Sequence, residues 1–88
     1  MADRIYLKVI ADFDITGYMR PRAVTWKDGR MFRIEELREH RSAATSVNGI
    51  QRDCYTVVIK GQVRRLYFEK DPSNFTITVG RWYVEKEA

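Results

Sequence analysis

One cysteine, Cys54, and one histidine, His40, are present in a chain of 88 residues, and this scarcity narrows the available chemistry at once. A lone cysteine excludes an intrachain disulfide and any multi-thiolate metal cluster within one copy. A Cys54–His40 nucleophile pair needs two separate elements to meet and has no local nucleophile motif behind it, so Cys54 reads as a small packed hydrophobe. Glu35, Glu36, Glu39 and His40 come nearest to a metal set. In a helix they supply only the pairs Glu35–Glu39 and Glu36–His40, and in a strand they split between two faces, so they read as a solvated charge run. Neither common glycine-rich phosphate loop is present, and no apolar run approaches the roughly 18 residues of a membrane-spanning helix. The first residues reach Asp3 without a signal-peptide pattern, which points to a cytoplasmic protein. With no repeat or low-complexity segment, residues 1–88 read as a single noncatalytic domain with no cofactor, metal or membrane.

What the chain does carry is positive charge and alternation. Sixteen Lys and Arg against twelve Asp and Glu give a formal +4 and a pI near 9.5, enough to make polyanions plausible partners. The excess is spread evenly, with nine bases and seven acids in residues 1–44 and seven and five in 45–88. Only folding gathers it into a patch.

Residues 4–13 alternate cleanly, with Ile5, Leu7, Val9, Ala11 and Phe13 on one face, as in a half-buried strand. Asp14-Ile15-Thr16-Gly17 is a turn sequence. Residues 18–26 follow as a second strand, in which Pro21 lacks an N–H and marks an edge or a bulge. Asp28-Gly29 is the strongest hairpin signal in the chain. A two-residue loop there splits the apolar residues between both faces. A three-residue loop, Lys27-Asp28-Gly29 with Gly29 left-handed at a bulge, sets Trp26 opposite Arg30 and Val24 opposite Phe32. That register gathers Val24, Trp26, Phe32 and Ile34 on one side, so it is the register expected.

Residues 35–44 hold good helix formers, and Ile34, Leu37, Arg41 and Ala44 fall at helical spacing, so a short helix competes with a strand. The preceding hairpin favours an extended strand, with a bulge near Glu35-Glu36 where the period of two breaks. Residues 42–53, with Asn48-Gly49, read as a surface loop. A second hairpin spans 54–60 and 63–69 about a type II′ turn at Gly61-Gln62, pairing Tyr55 with Phe68 and Val57 with Leu66. Residues 70–74 are loop, and the apolar phase changes across Gly80-Arg81 between Phe75, Ile77, Val79 and Trp82, Val84. Five to seven short strands joined by tight turns predict a mainly β fold: a small, bent antiparallel sheet or partly open barrel of SH3-like or Sm-like size.

For function, the outward faces of these strands set Lys8, Arg33, Lys60, Arg65 and Tyr67 as candidate nucleic-acid-binding residues, with Tyr6 beside Lys8. The bases would neutralise phosphates and the tyrosines stack on unpaired bases. Trp26 and Trp82 share the phase of Val24 and Val84 and read as core. The competing class is protein association or a homodimer, through Tyr6, Ile10, Val58 and Tyr67 on the outer sheet face or through an edge at Pro21.

The segment Pro21-x-x-Val24-x-Trp26-x-Asp28-Gly29-Arg30-x-Phe32-x-Ile34, with Cys54-Tyr55-Thr56, Leu66-Tyr67-Phe68-Glu69 and Trp82-Tyr83-Val84-Glu85, resembles a family of short uncharacterised bacterial proteins. In that family the last two motifs sit close together as arms of a final hairpin. Residues 70–81 intervene here, like an insertion extending it. The resemblance implies a bacterial cytoplasmic β domain and brings no established activity.

Overall fold

The computed structural model describes residues 2–42, 51–70 and 80–87. They form seven antiparallel strands: β1 (Ala2–Phe13), β2 (Met19–Thr25), β3 (Met31–Arg33), β4 (Glu36–Ser42), β5 (Gln51–Ile59), β6 (Gln62–Lys70) and β7 (Arg81–Glu87). Their order across one sheet is β3-β2-β1-β7-β6-β5-β4. The two edge strands are consecutive in the chain, so the sheet must curl until its ends nearly meet. Ile34 donates its N–H to the Arg22 carbonyl on β2 while the next residue, Glu35, donates to the Val58 carbonyl on β5. Adjacent Cα atoms are only about 3.8 Å apart, so this one peptide bridges opposite ends of the sheet and makes a half-barrel.

The β2–β3 hairpin takes the expected register, with Val24 opposite Phe32. The Trp26 N–H reaches the Arg30 carbonyl at 2.8 Å, the Gly29 N–H reaches the Trp26 carbonyl at 2.9 Å, and Gly29 has φ of +90°. A left-handed residue after the turn absorbs the extra residue of the bulge, a conformation in which a Cβ is costly. The Asp14–Gly17 turn also forms, its Asp14 carboxylate accepting the Thr16 and Tyr18 N–H groups. The Thr16 hydroxyl, which also donates to this carboxylate, and then the Tyr18 N–H hold the Asp14 carboxyl below its usual range.

The favoured strand forms over residues 36–42. Three other expectations change. The irregularity lies between Leu37 and Glu39 rather than at Glu35-Glu36, where the chain instead crosses between sheet edges. The β5–β6 turn is Lys60-Gly61, both with positive φ (52° and 73°), so Tyr55 faces Leu66 and Val57 faces Arg64. This is the primed turn whose twist matches the strands. The two-residue shift keeps every side chain on its face, which is why alternation could not reveal it. Pro21 takes the second of its two expected places, a bulge, and is buried there opposite Ala11, so it marks no open edge. Gln51, Arg52 and Asp53 belong to β5, and Lys70 to β6. The expectations for the rest of the 43–50 loop and for residues 71–79 lie outside the described residues.

Val24, Ile34, Tyr55, Val57, Leu66 and Phe68 form the core within the curl, and Leu7, Val9, Phe32, Leu37, Trp82 and Val84 pack around it. Fully burying a side chain such as Val57 or Leu66 contributes about 1.5–3 kcal/mol, and alternation along β5 and β6 supplies these residues. At one end His40 stacks on Tyr55, ring centroids 4.2 Å apart, and its Nε2 lies 3.2 Å from the Asp53 carboxylate. The Tyr55 hydroxyl donates to the Met19 carbonyl at 3.4 Å, tying β5 to the start of β2. Desolvation pushes the Tyr55 hydroxyl up to about 12.

Candidate nucleic-acid interface

At the other end, the β2–β3 turn, the β5–β6 turn and the last residues of β7 surround a cleft of about 630 Å³. Its wall is the unfilled end of the curl: Ile5, Leu7, Val24, Phe32, Ile59 and Val84, with Trp26 at the mouth of the hairpin. Its lining includes six bases, Lys27, Arg30, Lys60, Arg64, Arg65 and Lys86, against one acid, Glu85. Turns collect them, because hairpin tips and strand ends leave the apolar alternation and project into solvent. Asp28 engages Arg30 at 2.7 Å. The Arg30 backbone N–H holds that carboxyl below its usual range. Arg64 donates to Gln62 Oε1 at 2.8 Å. Lys60 Nζ lies 4.8 Å from the Phe32 ring centroid, and the Arg30 guanidinium lies 5.5 Å from it. Among the described residues, Lys27, Lys60, Arg65 and Lys86 make no ion pair.

The outer face of β1, β7 and β6 carries a different assembly. Register sets Tyr6 opposite Tyr83 and Tyr83 opposite Tyr67. Tyr83 is fully buried because guanidiniums cover the rings: Arg4 over Tyr83 and Arg81 over Tyr6, each at 4.5 Å, and Arg52 over Tyr67 at 5.2 Å. Buried Glu69 holds two of these arginines, accepting from Arg4 at 2.8 Å and Arg81 at 2.9 Å as well as from the Tyr6 hydroxyl at 3.0 Å. Desolvation raises the Tyr67 pKa, and its bond to Glu85 adds to the shift. This face already stacks on itself.

The five sequence-derived candidates therefore fall in different places. Lys60 lines the cleft, and Arg65 reaches its rim from the outward face of β6, where its side chain also bonds Tyr67. Tyr67 belongs to the tyrosine row, its ring packed against Tyr83 at 5.1 Å. Lys8 pairs with Thr25 on β1, beside a shallower hollow with Tyr6 and Arg81, and Arg33 pairs with Ala23 on the three-residue edge strand β3. Lys27, Arg30, Arg64 and Lys86 were not among the candidates, although Lys27 and Arg30 flank the Asp28-Gly29 turn and were legible as tip residues. Trp26, expected in the core, is half-buried on the cleft and outside the core cluster. Cys54 faces the opposite side of β5 from Tyr55, on which His40 stacks, so the two do not form a catalytic pair. Glu36 and Glu39 pair with Arg38 and Arg41, and no cluster of three metal-ligating side chains occurs among the described residues. No described helix is long and apolar enough to cross a membrane. No protein-family model matches the chain, and neither does any curated protein or solved structure.

Proposed function

We propose that this domain is a noncatalytic binding module for single-stranded nucleic acid, engaged at the mouth of the half-barrel rather than across the outer sheet face. The observation that carries this reading is an apolar cleft whose lining holds six bases and one acid, with Asp28 and Glu35 at the adjoining turns engaged by Arg30 and the Gly61 N–H, in a protein whose charge is otherwise evenly spread along the chain. Phosphates lie along Lys27, Lys60, Arg64, Arg65 and Lys86, and their attraction to these groups depends on counterion release. The outer face supports the reading less well, since its tyrosine rings are covered by guanidiniums. Protein association through a sheet edge is also less supported, because β4 presents Glu36, Arg38, Glu39 and Arg41 with a bulge, features that blunt strand addition.

The test is salt-titrated binding of a fluorescent thymidine oligonucleotide to the wild type and to a Lys60→Asn, Arg65→Gln double variant. Asn suits the positive φ at position 60, so folding is preserved. Each phosphate contact to a single strand contributes about 0.7 to the slope of log affinity against log salt, so the double variant loses about 1.4 from it. An unchanged slope and affinity would overturn the assignment. A concentration-dependent dimer mass with no oligonucleotide binding would establish the protein-association alternative instead.

A further inference from the structure

Resting on the nucleic-acid reading, we infer that the apolar wall of the cleft is a subsite for one unstacked nucleobase, with Trp26 as its stacking platform. The two tryptophans of the chain are used differently. Trp82 is packed between Tyr55 and Phe68, at centroid distances of 5.3 and 4.8 Å. Trp26 has neither an aromatic nor a cationic partner among the described residues, while Tyr6, Tyr18, Tyr55, Tyr67, Phe68 and Tyr83 all have aromatic neighbours. Phe32 across the same hairpin is taken by Arg30 and Lys60. Trp26 is thus the half-buried ring on this cleft whose π surface is unclaimed.

Its backbone is also fixed. The Trp26 N–H and carbonyl are both engaged, to Arg30 and from Gly29 at 2.8 and 2.9 Å, so the platform is held by the bulged turn rather than by a free loop. A platform held in place loses little entropy when a ring lands on it. The charge around it selects among flat or apolar ligands. A single-headed amphiphile such as a fatty acid uses one or two cations, whereas the bases here are distributed over the β2–β3 turn, the β5–β6 hairpin and the end of β7. That distribution fits a ligand carrying several anions spaced along a chain beside a planar apolar group, which is a nucleotide strand. The cleft volume lies in the range of small-ligand sites, ample for one base.

The test compares binding of a thymidine oligonucleotide and the same oligonucleotide with consecutive abasic sites, by fluorescence anisotropy, for the wild type, Trp26→Phe and Trp26→Leu, each checked by thermal melting. Stacking of one base contributes about tenfold in affinity by truncation. The wild type should bind the abasic strand about tenfold more weakly. Trp26→Phe should keep most of that discrimination. Trp26→Leu, which fills the wall without a π face, should bind both strands equally and with the wild-type salt slope, since no phosphate contact is lost. Wild-type binding that depends on salt but ignores abasic sites would overturn the base subsite and leave the nucleic-acid reading standing. Absence of salt-dependent binding would overturn both. Dodecanoate binding that Trp26→Leu preserves, with no discrimination between the strands, would assign the cleft to an acyl chain and also overturn the subsite.

Discussion

Glu69→Gln tests how the outer face is held together. The Glu69 side chain is 7% exposed and receives Arg4, Arg81 and Tyr6, and both guanidiniums lie 4.5 Å from tyrosine centroids. The carboxylate therefore both pairs with the cations and aims them at the rings. Gln keeps the volume and one acceptor but sets an NH2 group against a guanidinium. Hydrogen bonds to charged groups contribute about 1.5–3 kcal/mol each. Arg4 and Arg81 are 43% and 61% exposed and regain water when released, which reduces the sum, so the expected loss is about 2 kcal/mol. For a domain of this size that lowers the melting midpoint by roughly 8–16 °C. Near-UV circular dichroism reads it directly, since Tyr6, Tyr67 and Tyr83 report the packing. The deficit should persist in about 1 M salt, because the acid is buried. A double-mutant cycle with Arg4→Gln should show coupling above about 0.5 kcal/mol. A midpoint shift of about 2 °C or less, or coupling near zero, would refute the role given to Glu69.

Gly80→Ala should destabilise by about 1–3 kcal/mol in urea unfolding, because a Cβ there would lie 2.8 Å from the Glu69 carbonyl oxygen and clash with the edge of the Phe68 ring; an unchanged urea midpoint would show that β7 enters the sheet differently. The Tyr55 hydroxyl is raised by burial from its ordinary value near 10 to about 12. The fold favours the protonated phenol, so this stabilisation is complete below about pH 10 and is lost as pH rises towards 12. Alkaline melts should show that loss, and Tyr55→Phe should remove its share of the slope; an unaltered slope would mean that Tyr55 titrates elsewhere.

Alternation made most of the architecture legible. Val24 opposite Phe32, the left-handed Gly29, and the inward Tyr55, Val57, Leu66 and Phe68 all follow from matching apolar faces. What alternation cannot see is anything that preserves parity or depends on closure. The two-residue shift of β5 against β6 leaves faces intact. The crossing at Ile34–Glu35 looked like a bulge because a chain leaving one sheet edge for the other also breaks the period of two. Closure decided the site as well. Trp26 has the core phase of Val24, yet it lies beyond the last paired residue of β2, where the curl is not filled. The outward residues Lys8 and Arg33 were separated from Lys60 and Arg65 by the same curvature, which no strand-by-strand reading contains.

Lys60 joins the fold to the proposed site. It is the one non-glycine residue with positive φ among those described, in a turn position that Asn, Asp or Gly fill at lower cost. A left-handed L-residue costs roughly 1–2 kcal/mol. The cation over Phe32 returns about 0.5–1 kcal/mol at an exposed site, so the contact offsets only part of the strain. Stability by itself gives no reason for lysine there. Strain of this size persists where the side chain has another use, and at position 60 the turn carries the ammonium to the rim of the cleft, beside Arg64 and Arg65 and across from Trp26. The positive-φ backbone and the charge cluster thus meet at the same residue.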